Sequence, residues 1–411
     1  MTTEPRVLRA TEWDDWYASL ELAFGGVPLP AEKRELYREI TDVERSLGVW
    51  DGGEPVATAG SLGFEVTVPG GGRARMAGIT MVSVASTHRR RGLLTAMMRR
   101  QLDDLRAWGE PLAALYASEP GIYGRFGYGA ATRLLRAEID TDRVRLSTLP
   151  EGTDEVRLRR VPVPADALAE CEAVYAAHLP TRPGMIARLP HWDRLFVLDP
   201  AAERGDSSPL QCVLAERDGA VTGYVRYRVR AAWDEAGPKG KVEVQDFYGM
   251  DPASYAALLR HLCGIDLTST VVLDDRPVDD PWQHLVSDIR RCRVRSSDGL
   301  HIRPVEVGAA LAARAYSAPV DVVLEVADAF CPWNTGRWRL SGDSGGAVCE
   351  RTADPADLSL SVRELGAACL GGVRLVSLAD AGLVREERAG ALAAADAAFV
   401  SARAPWGSHM F

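Results

Sequence analysis

Lysine is nearly missing from this chain. Lys33, Lys239 and Lys241 are the only three in 411 residues, against 48 Lys+Arg in all. Arginine therefore supplies almost every positive charge, a skew that follows GC-rich codon usage better than it follows a nucleic-acid surface. Acidic residues outnumber basic ones 57 to 48, for a formal net charge of −9. A chain of that sign repels phosphate backbones and draws cationic partners, so nucleic acid is not expected as a ligand. Cysteine is sparse and unpatterned. The seven positions (Cys171, Cys212, Cys263, Cys292, Cys331, Cys349 and Cys369) include no C-x-x-C pair. An odd, scattered set implies reduced, buried thiols and a cytoplasmic location. The seven histidines lack metal-ligand spacing; His88 and His191 are expected to make local hydrogen bonds only, and no metal is expected. No apolar run follows Met1-Thr-Thr-Glu-Pro-Arg6, so no signal peptide is expected. No stretch approaches the ~20 apolar residues of a membrane span, so no membrane partner is expected either.

What remains is globular. The hydrophobic share is 46% and the charged share 26%, and 411 residues exceed one ordinary core, so two or three domains are expected. Thr11, with Asp14 three residues on, predicts a helix N-cap with an acidic first turn. Trp13, Trp16 and Leu20 then share one face and belong to a core. A second helix is predicted over Glu32 to Ile40. A meander follows: Ser46 to Trp50, the hairpin turn Asp51-Gly52-Gly53, Pro55 to Gly63, and Ala74 to Val84.

The organising stretch is Met81 to Met98. It reads as a short apolar strand, the basic turn Arg89-Arg90-Arg91-Gly92, and an amphipathic helix. A helix start presents unpaired N–H groups and a partial positive charge, Gly92 lets backbone approach a ligand, and the arginines add charge, so the corner suits a phosphate. An ordinary strand-to-helix corner with a solvated charge run is the plainer alternative. Some 25 residues on, the apolar strand Leu112 to Ala117 ends at Ser118 and is followed by Glu119-Pro-Gly-Ile-Tyr123-Gly-Arg-Phe-Gly-Tyr128. Arg89-x-x-Gly92 after a strand resembles the acyl-CoA pyrophosphate loop of the GNAT N-acetyltransferases. Tyr123-x-Arg125-x-Gly127-Tyr128 resembles the helix that follows in that fold. One position departs from the pattern: Leu94 stands where the GNAT loop usually has Gly or Ala. The run Thr87-His-Arg-Arg-Arg-Gly-Leu-Leu94, the length, the domain order and the C-terminal Phe411 are similar to the enhanced intracellular survival (Eis) acetyltransferases.

Farther along, the pattern repeats. Gln211 to Val225 echoes Leu47 to Ala59 as strand, two-residue turn, strand; Lys241 to Met250, Pro252 to Cys263 and Ser269 to Leu273 then give strand, helix, strand. The second corner, Gly249-Met-Asp-Pro-Ala253, places Asp251 where the first has arginines, and a carboxylate repels a pyrophosphate. From about Arg290 a third region alternates strand and helix and closes with alanine-rich Ala391 to Val400. The expected fold is thus mixed α+β and α/β: a GNAT domain over 1–150 that binds acetyl-CoA, an inactive GNAT-like domain over 151–289, and, by resemblance, a sterol-carrier-protein-like domain over 290–411. The final segment holds Trp406, Met410 and Phe411, which suggests a tail that packs. Its Gly407-Ser-His-Met410 looks like an expression-tag scar and is taken as native.

The resemblance implies a chemistry. The strand at Val82 and Val84 would polarise the acetyl-CoA thioester, and Arg89, Arg90, Gly92, Leu93, Leu94 and Thr95 would hold the phosphates, with Ser118 across the slot. Tyr123 would protonate the departing thiolate; an unperturbed phenol, with a pKa of about 10, carries the proton needed. The carboxylate of Phe411 would return to the site and take the amine proton, although a free one titrates near ~3.5 and acts best when partly buried or through a water. Implied acceptors are aminoglycosides, at several amines, and lysine-type amines; the implied assembly is a homohexamer. Two other readings stay open: a CoA-binding regulatory scaffold without turnover, and an apolar-ligand carrier acting through the C-terminal domain.

Overall fold

The computed structural model describes residues 4–411. Its backbone forms two compact units. The first comprises the described residues up to Thr132, the segment Arg182–Ala187 and Asp298–Phe411; the second comprises Arg133–Thr181 and Arg188–Ser297.

In the first unit the chain forms β1 (Arg6–Val7), α1 (Trp13–Ala23), α2 (Ala31–Ile40), β2 (Leu47–Asp51), β3 (Glu54–Thr67), β4 (Arg73–Val84), α3 (Leu93–Ala107), β5 (Leu112–Tyr116), the single turn α4 (Pro120–Tyr123) and β6 (Gly129–Ala130). The second unit carries β7 (Arg133–Asp140), β8 (Arg157–Val161), α5 (Leu168–His178), β9 (Gln211–Arg217), β10 (Ala220–Arg230), a small hairpin of β11 (Trp233–Asp234) and β12 (Gly237–Pro238), β13 (Gly240–Gly249), α6 (Pro252–Cys263), β14 (Thr268–Pro277), α7 (Trp282–Leu285) and, at its end, β15 (Arg295–Asp298). The first unit resumes with β16 (Leu300–Pro304), α8 (Val307–Ala312), β17 (Val320–Ala327), β18 (Gly336–Asp343), β19 (Gly346–Arg351), β20 (Leu358–Ser361), α9 (Val362–Ala368), α10 (Leu375–Asp380), β21 (Val384–Glu386) and α11 (Ala391–Phe399).

Two seven-stranded sheets repeat one plan, with strand orders β1-β2-β3-β4-β5-β16-β6 and β15-β7-β14-β13-β10-β9-β8. Each has a hairpin, then a long strand that crosses by a helix to a parallel neighbour: β4 to β5 through α3, and β13 to β14 through α6. The expected repeat is present. The expected boundary at residue 150 is not where the sheets divide. β7 already lies in the second sheet, and β16, read above as the start of the third region, returns to the first sheet as an antiparallel partner of β5. A five-residue strand carries no mark of which distant edge it will join, so only the tertiary fold reveals this crossing.

The apolar spacing in the first helix works as expected. Trp13, Trp16, Tyr17 and Leu20 are buried together, and the Trp16 indole donates to Leu47 O at 2.9 Å. Thr11, however, is not the cap. It sits inside a 3-10 turn, Ala10–Glu12, and the Glu12 carboxylate instead accepts the Arg9 amide at 3.2 Å. The C-terminal sheet, β19-β18-β17-β20-β21, buries Val322, Leu324, Leu340, Leu358 and Leu360 against Leu365 and Phe399. Buried Arg314 donates to Cys369 O at 2.6 Å and Phe399 O at 2.7 Å, satisfying carbonyls left open where α9 and α11 end. All seven cysteines are free, six of them buried. No helix among the described residues is long and apolar enough to cross a membrane.

Candidate active site

The site begins where two parallel strands part. β4 and β5 pair at Met76–Leu112, Ala77–Ala113 and Gly78–Ala114, and no further. β4 runs on to Val84 and keeps its bonds to β3, while Leu115 and Tyr116 of β5 pair only with β16. A wedge is left between Ile79–Val84 and the end of β5. Within it β4 is bulged: its register with β3 shifts between Thr58 and Gly60, and Met81 takes φ 53°. The Thr58 hydroxyl bonds both Met81 O and the Ser83 hydroxyl at 2.7 Å, which holds the bulge. The strand expected over Ala74 to Val84 is present as twelve residues, but the sequence did not show that its last third is distorted.

Beyond Val84 the chain makes a 3-10 turn, Ser86–His88, and enters α3. His88 fixes the turn through Asp51 at 3.1 Å and Thr87 at 2.8 Å, the local bonding expected of it. Gly92 adopts φ 82° at the helix start, a conformation that costs glycine nothing, and no side chain caps α3. The first amides of a 15-residue helix therefore point out of it beside Arg89 and Arg90. A cavity of about 730 Å³ joins this corner to the wedge, lined by Val82, Ser83, Val84, His88, Arg89, Arg90, Gly92, Leu93, Leu94, Thr95, Ser118, Glu119, Ile122, Tyr123 and Arg125, with Ala23 and Phe24 at the end of α1. Every residue expected in a cofactor role lines it.

Tyr123 lies on the same wall. It closes the single turn α4, whereas the motif led us to expect it at the start of a helix; Gly127, in the left-handed region, ends the 3-10 turn that follows. The ring packs edge-on to Tyr128 at 6.1 Å. Burial first, and the Glu119 carboxylate second, raise its phenol above the ordinary tyrosine range, so Tyr123 keeps its proton at neutral pH.

Phe411 is not in that lining. It sits at the fork: its ring packs 5.1 Å from Phe64 and 5.4 Å from Tyr116, and a Cβ placed on Gly78 would come within 2.8 Å of it. Gly78 is the last residue of β4 paired with β5. The tail is anchored on the way. Arg182 donates to Ala404 O at 2.6 Å, the Trp406 amide donates to Pro183 O at 2.8 Å, and Gly407 abuts the Tyr116 hydroxyl so closely that a Cβ there would lie 2.0 Å from it. Trp406 is buried, a contribution of about 2 kcal/mol to seating the tail.

The corresponding wedge of the second unit is closed. β13 and β14 stop pairing at Val244–Leu273, but Arg276 of β14 then reaches across. Its guanidinium is buried, donates to Phe247 O of β13 at 3.0 Å and to Asp280 at 2.5 Å, while the Tyr255 hydroxyl also bonds Asp280. Asp251, at the corner, accepts the Ser254 amide at 2.9 Å and so caps α6 with a carboxylate. In place of an open anion-binding corner, this copy has a filled one.

Among the described residues no three His, Cys, Asp or Glu side chains gather as a metal site. Sequence reasoning missed Ala23, Phe24, Ser83, His88 (read only for local hydrogen bonds), Glu119, Ile122 and Arg125. The last three flank Tyr123 and were within reach of the motif; α1 reaches the cavity only through tertiary packing.

Comparison with known proteins agrees with this architecture. Residues 4–131 and 184–304 each match an acetyltransferase (GNAT) domain, and residues 307–408 match a sterol carrier protein domain. With a wedge-shaped cleft that leads to an uncapped helix start, the chain is a GNAT N-acetyltransferase, a fold that implies acetyl-CoA as cosubstrate. An uncharacterized N-acetyltransferase of Streptomyces coelicolor is 66% identical to it, with 100% of both chains covered. The N-acetyltransferase Eis of Mycobacterium tuberculosis is 34% identical over 94% of this chain and 95% of its own. The crystal structure of Eis1 from Mycobacterium abscessus superposes with a TM-score of 0.81 at 34% identity, covering 99% of this chain and 100% of that one. The chain belongs to the Eis family of N-acetyltransferases.

Proposed function

We propose that the protein transfers acetyl from acetyl-CoA to primary amines of polycationic acceptors, aminoglycosides among them, and to lysine-type amines. The observation that carries this reading is the single cavity that joins Arg89, Arg90 and the open start of α3 to Tyr123. The amides and arginines of the corner hold the pyrophosphate, and Val82, Val84 and Ser118 flank the thioester. A neutral amine attacks the thioester carbonyl; a C–N bond forms and the C–S bond breaks. The Phe411 carboxylate takes the proton that the amine nitrogen loses, and the Tyr123 phenol gives its own to the leaving thiolate. A net charge of −9 favours cationic acceptors. Cytoplasmic residence and hexameric assembly belong to the same proposal, the latter checked by light scattering on the purified protein.

The test is release of free CoA thiol from acetyl-CoA, followed colorimetrically with a panel of aminoglycosides and lysine peptides. Thiol release matched by acetylated product in mass spectra is expected for aminoglycosides with several primary amines. Bound acetyl-CoA with no release on any amine would instead favour a non-catalytic scaffold.

A further inference from the structure

The turn that carries Tyr123 does not stand on the N-terminal domain alone. β16 follows the second unit in sequence, yet places Arg303 beneath this turn. Arg303 is fully buried, and its Nη2 donates to Asp328 at 2.9 Å, an acid buried at the end of β17. Asp328 is itself fixed, accepting the Cys331 amide at 2.8 Å and the Asn334 side-chain amide at 3.0 Å. Asn334 is tied back to Val305 O at 3.1 Å and to the Val307 amide at 3.0 Å. On the opposite side, Arg303 presses on the turn. A Cβ on Gly127 would lie 2.6 Å from Arg303 Nη1 and 2.8 Å from Val362 of α9, and one on Gly129 only 2.0 Å from Arg363 O. Gly127 is where the chain reverses so that the Tyr128 amide reaches Tyr123 O at 3.3 Å.

A buried ion pair is a poor source of net stability, since well-packed apolar residues of like volume serve as well or better. What it supplies is direction: a planar guanidinium, locked on one side by a carboxylate with no freedom, offers a fixed surface on the other. The core tells the same story. Tyr128 and Phe126 pack with Val305 and Cys331, and Phe126 meets Phe330 edge-on at 5.0 Å.

We infer that Arg303, held by Asp328 and backed by Val362, is a positioning residue for the general acid, so that the sterol-carrier-like domain sets the aim of Tyr123 as well as supplying the tail. This rests on the reading of Tyr123 as the acid. The leaving thiolate gains from a proton only if the phenol meets it at hydrogen-bond distance, and small displacements of such a group carry large rate penalties.

The test is a double-mutant cycle on the full chain. Arg303→Lys keeps the charge and loses the planar contact. It is expected to lower kcat about tenfold while the KM for acetyl-CoA stays within about twofold, because the phosphate corner is untouched. On a Tyr123→Phe background the same substitution is expected to cost nothing further, since the group it aims is gone. A full tenfold loss repeated on that background would overturn the positioning role and leave the acid intact. A silent Tyr123→Phe would instead remove the acid itself, and the inference with it. Should Arg303→Lys fail to fold, judged by its melting curve, Val362→Ala runs the same cycle with a milder truncation. A loss of several-fold that vanishes on the Tyr123→Phe background is expected; an equal loss on both backgrounds, or none on either, would overturn the inference.

Discussion

Tyr123→Phe is expected to lower kcat roughly 10²-fold or more, about 2.7 kcal/mol of transition-state stabilisation, with acetyl-CoA affinity close to wild type. The substitution removes one hydroxyl from the cavity wall and leaves the ring to pack on Tyr128. Affinity should hold because the proposed phosphate grip, Arg89, Arg90 and the start of α3, lies at the other end of the cavity and is untouched. The pH dependence follows from the raised phenol. A group whose acid form is required works below its pKa and fails above it. Burial and Glu119 move that point upward, so any fall in kcat caused by Tyr123 is expected above about pH 10, and to vanish in Tyr123→Phe. Steady-state thiol release from pH 6 to 11 checks both. Wild-type kcat in the variant would remove Tyr123 from the mechanism.

The second large effect concerns the end of the chain. Adding three or four residues after Phe411 is expected to reduce transfer by roughly 10²-fold or more, because the carboxylate becomes a peptide carbonyl and its charge moves away. The tail itself should stay seated. Its anchors lie upstream, in Ala404, Trp406 and Gly407, and in the Phe411 ring against Phe64 and Tyr116. Acetyl-CoA binding is therefore expected to be unchanged in the extended protein, which separates loss of a base from loss of a fold. Undiminished transfer in the extended protein would take the carboxylate out of the reaction and leave Phe411 as packing only.

How much of this was legible in advance depends on how local the determinant is. The phosphate corner is contiguous, strand, turn and helix start within some twenty residues, and Val82, Val84, Arg89, Arg90, Gly92, Leu93, Leu94 and Thr95 all reach the cavity as read. Tyr123 was legible through its motif, though not its place at the end of a single turn rather than the start of a helix. Thr11 failed as a cap because the chain is already turning at Ala10–Glu12, which puts Thr11 inside a 3-10 turn rather than at the helix boundary. The non-local parts were not legible at all. Nothing in Leu300–Pro304 announces that it will line up beside β5, nothing in Arg276 that it will fill a wedge, and nothing in Ala23–Phe24 that α1 will end at the cavity. Each depends on pairings between residues far apart in the chain, which local patterns do not encode. Asp251 shows the intermediate case: its charge marked the second corner as hostile to phosphate, but its use as the α6 cap appears only in the fold.

The central claim is that one acetyl-CoA is gripped at the first corner and none at the second. Titration calorimetry of the purified protein with acetyl-CoA measures it directly. One site per chain is expected, since Arg276 and Asp280 fill the second wedge. In Arg89→Ala/Arg90→Ala the affinity is expected to fall about tenfold or more, as two charge-assisted phosphate contacts are lost. No heat with the wild-type protein, two sites per chain, or an affinity unmoved by the arginine substitutions would contradict the account.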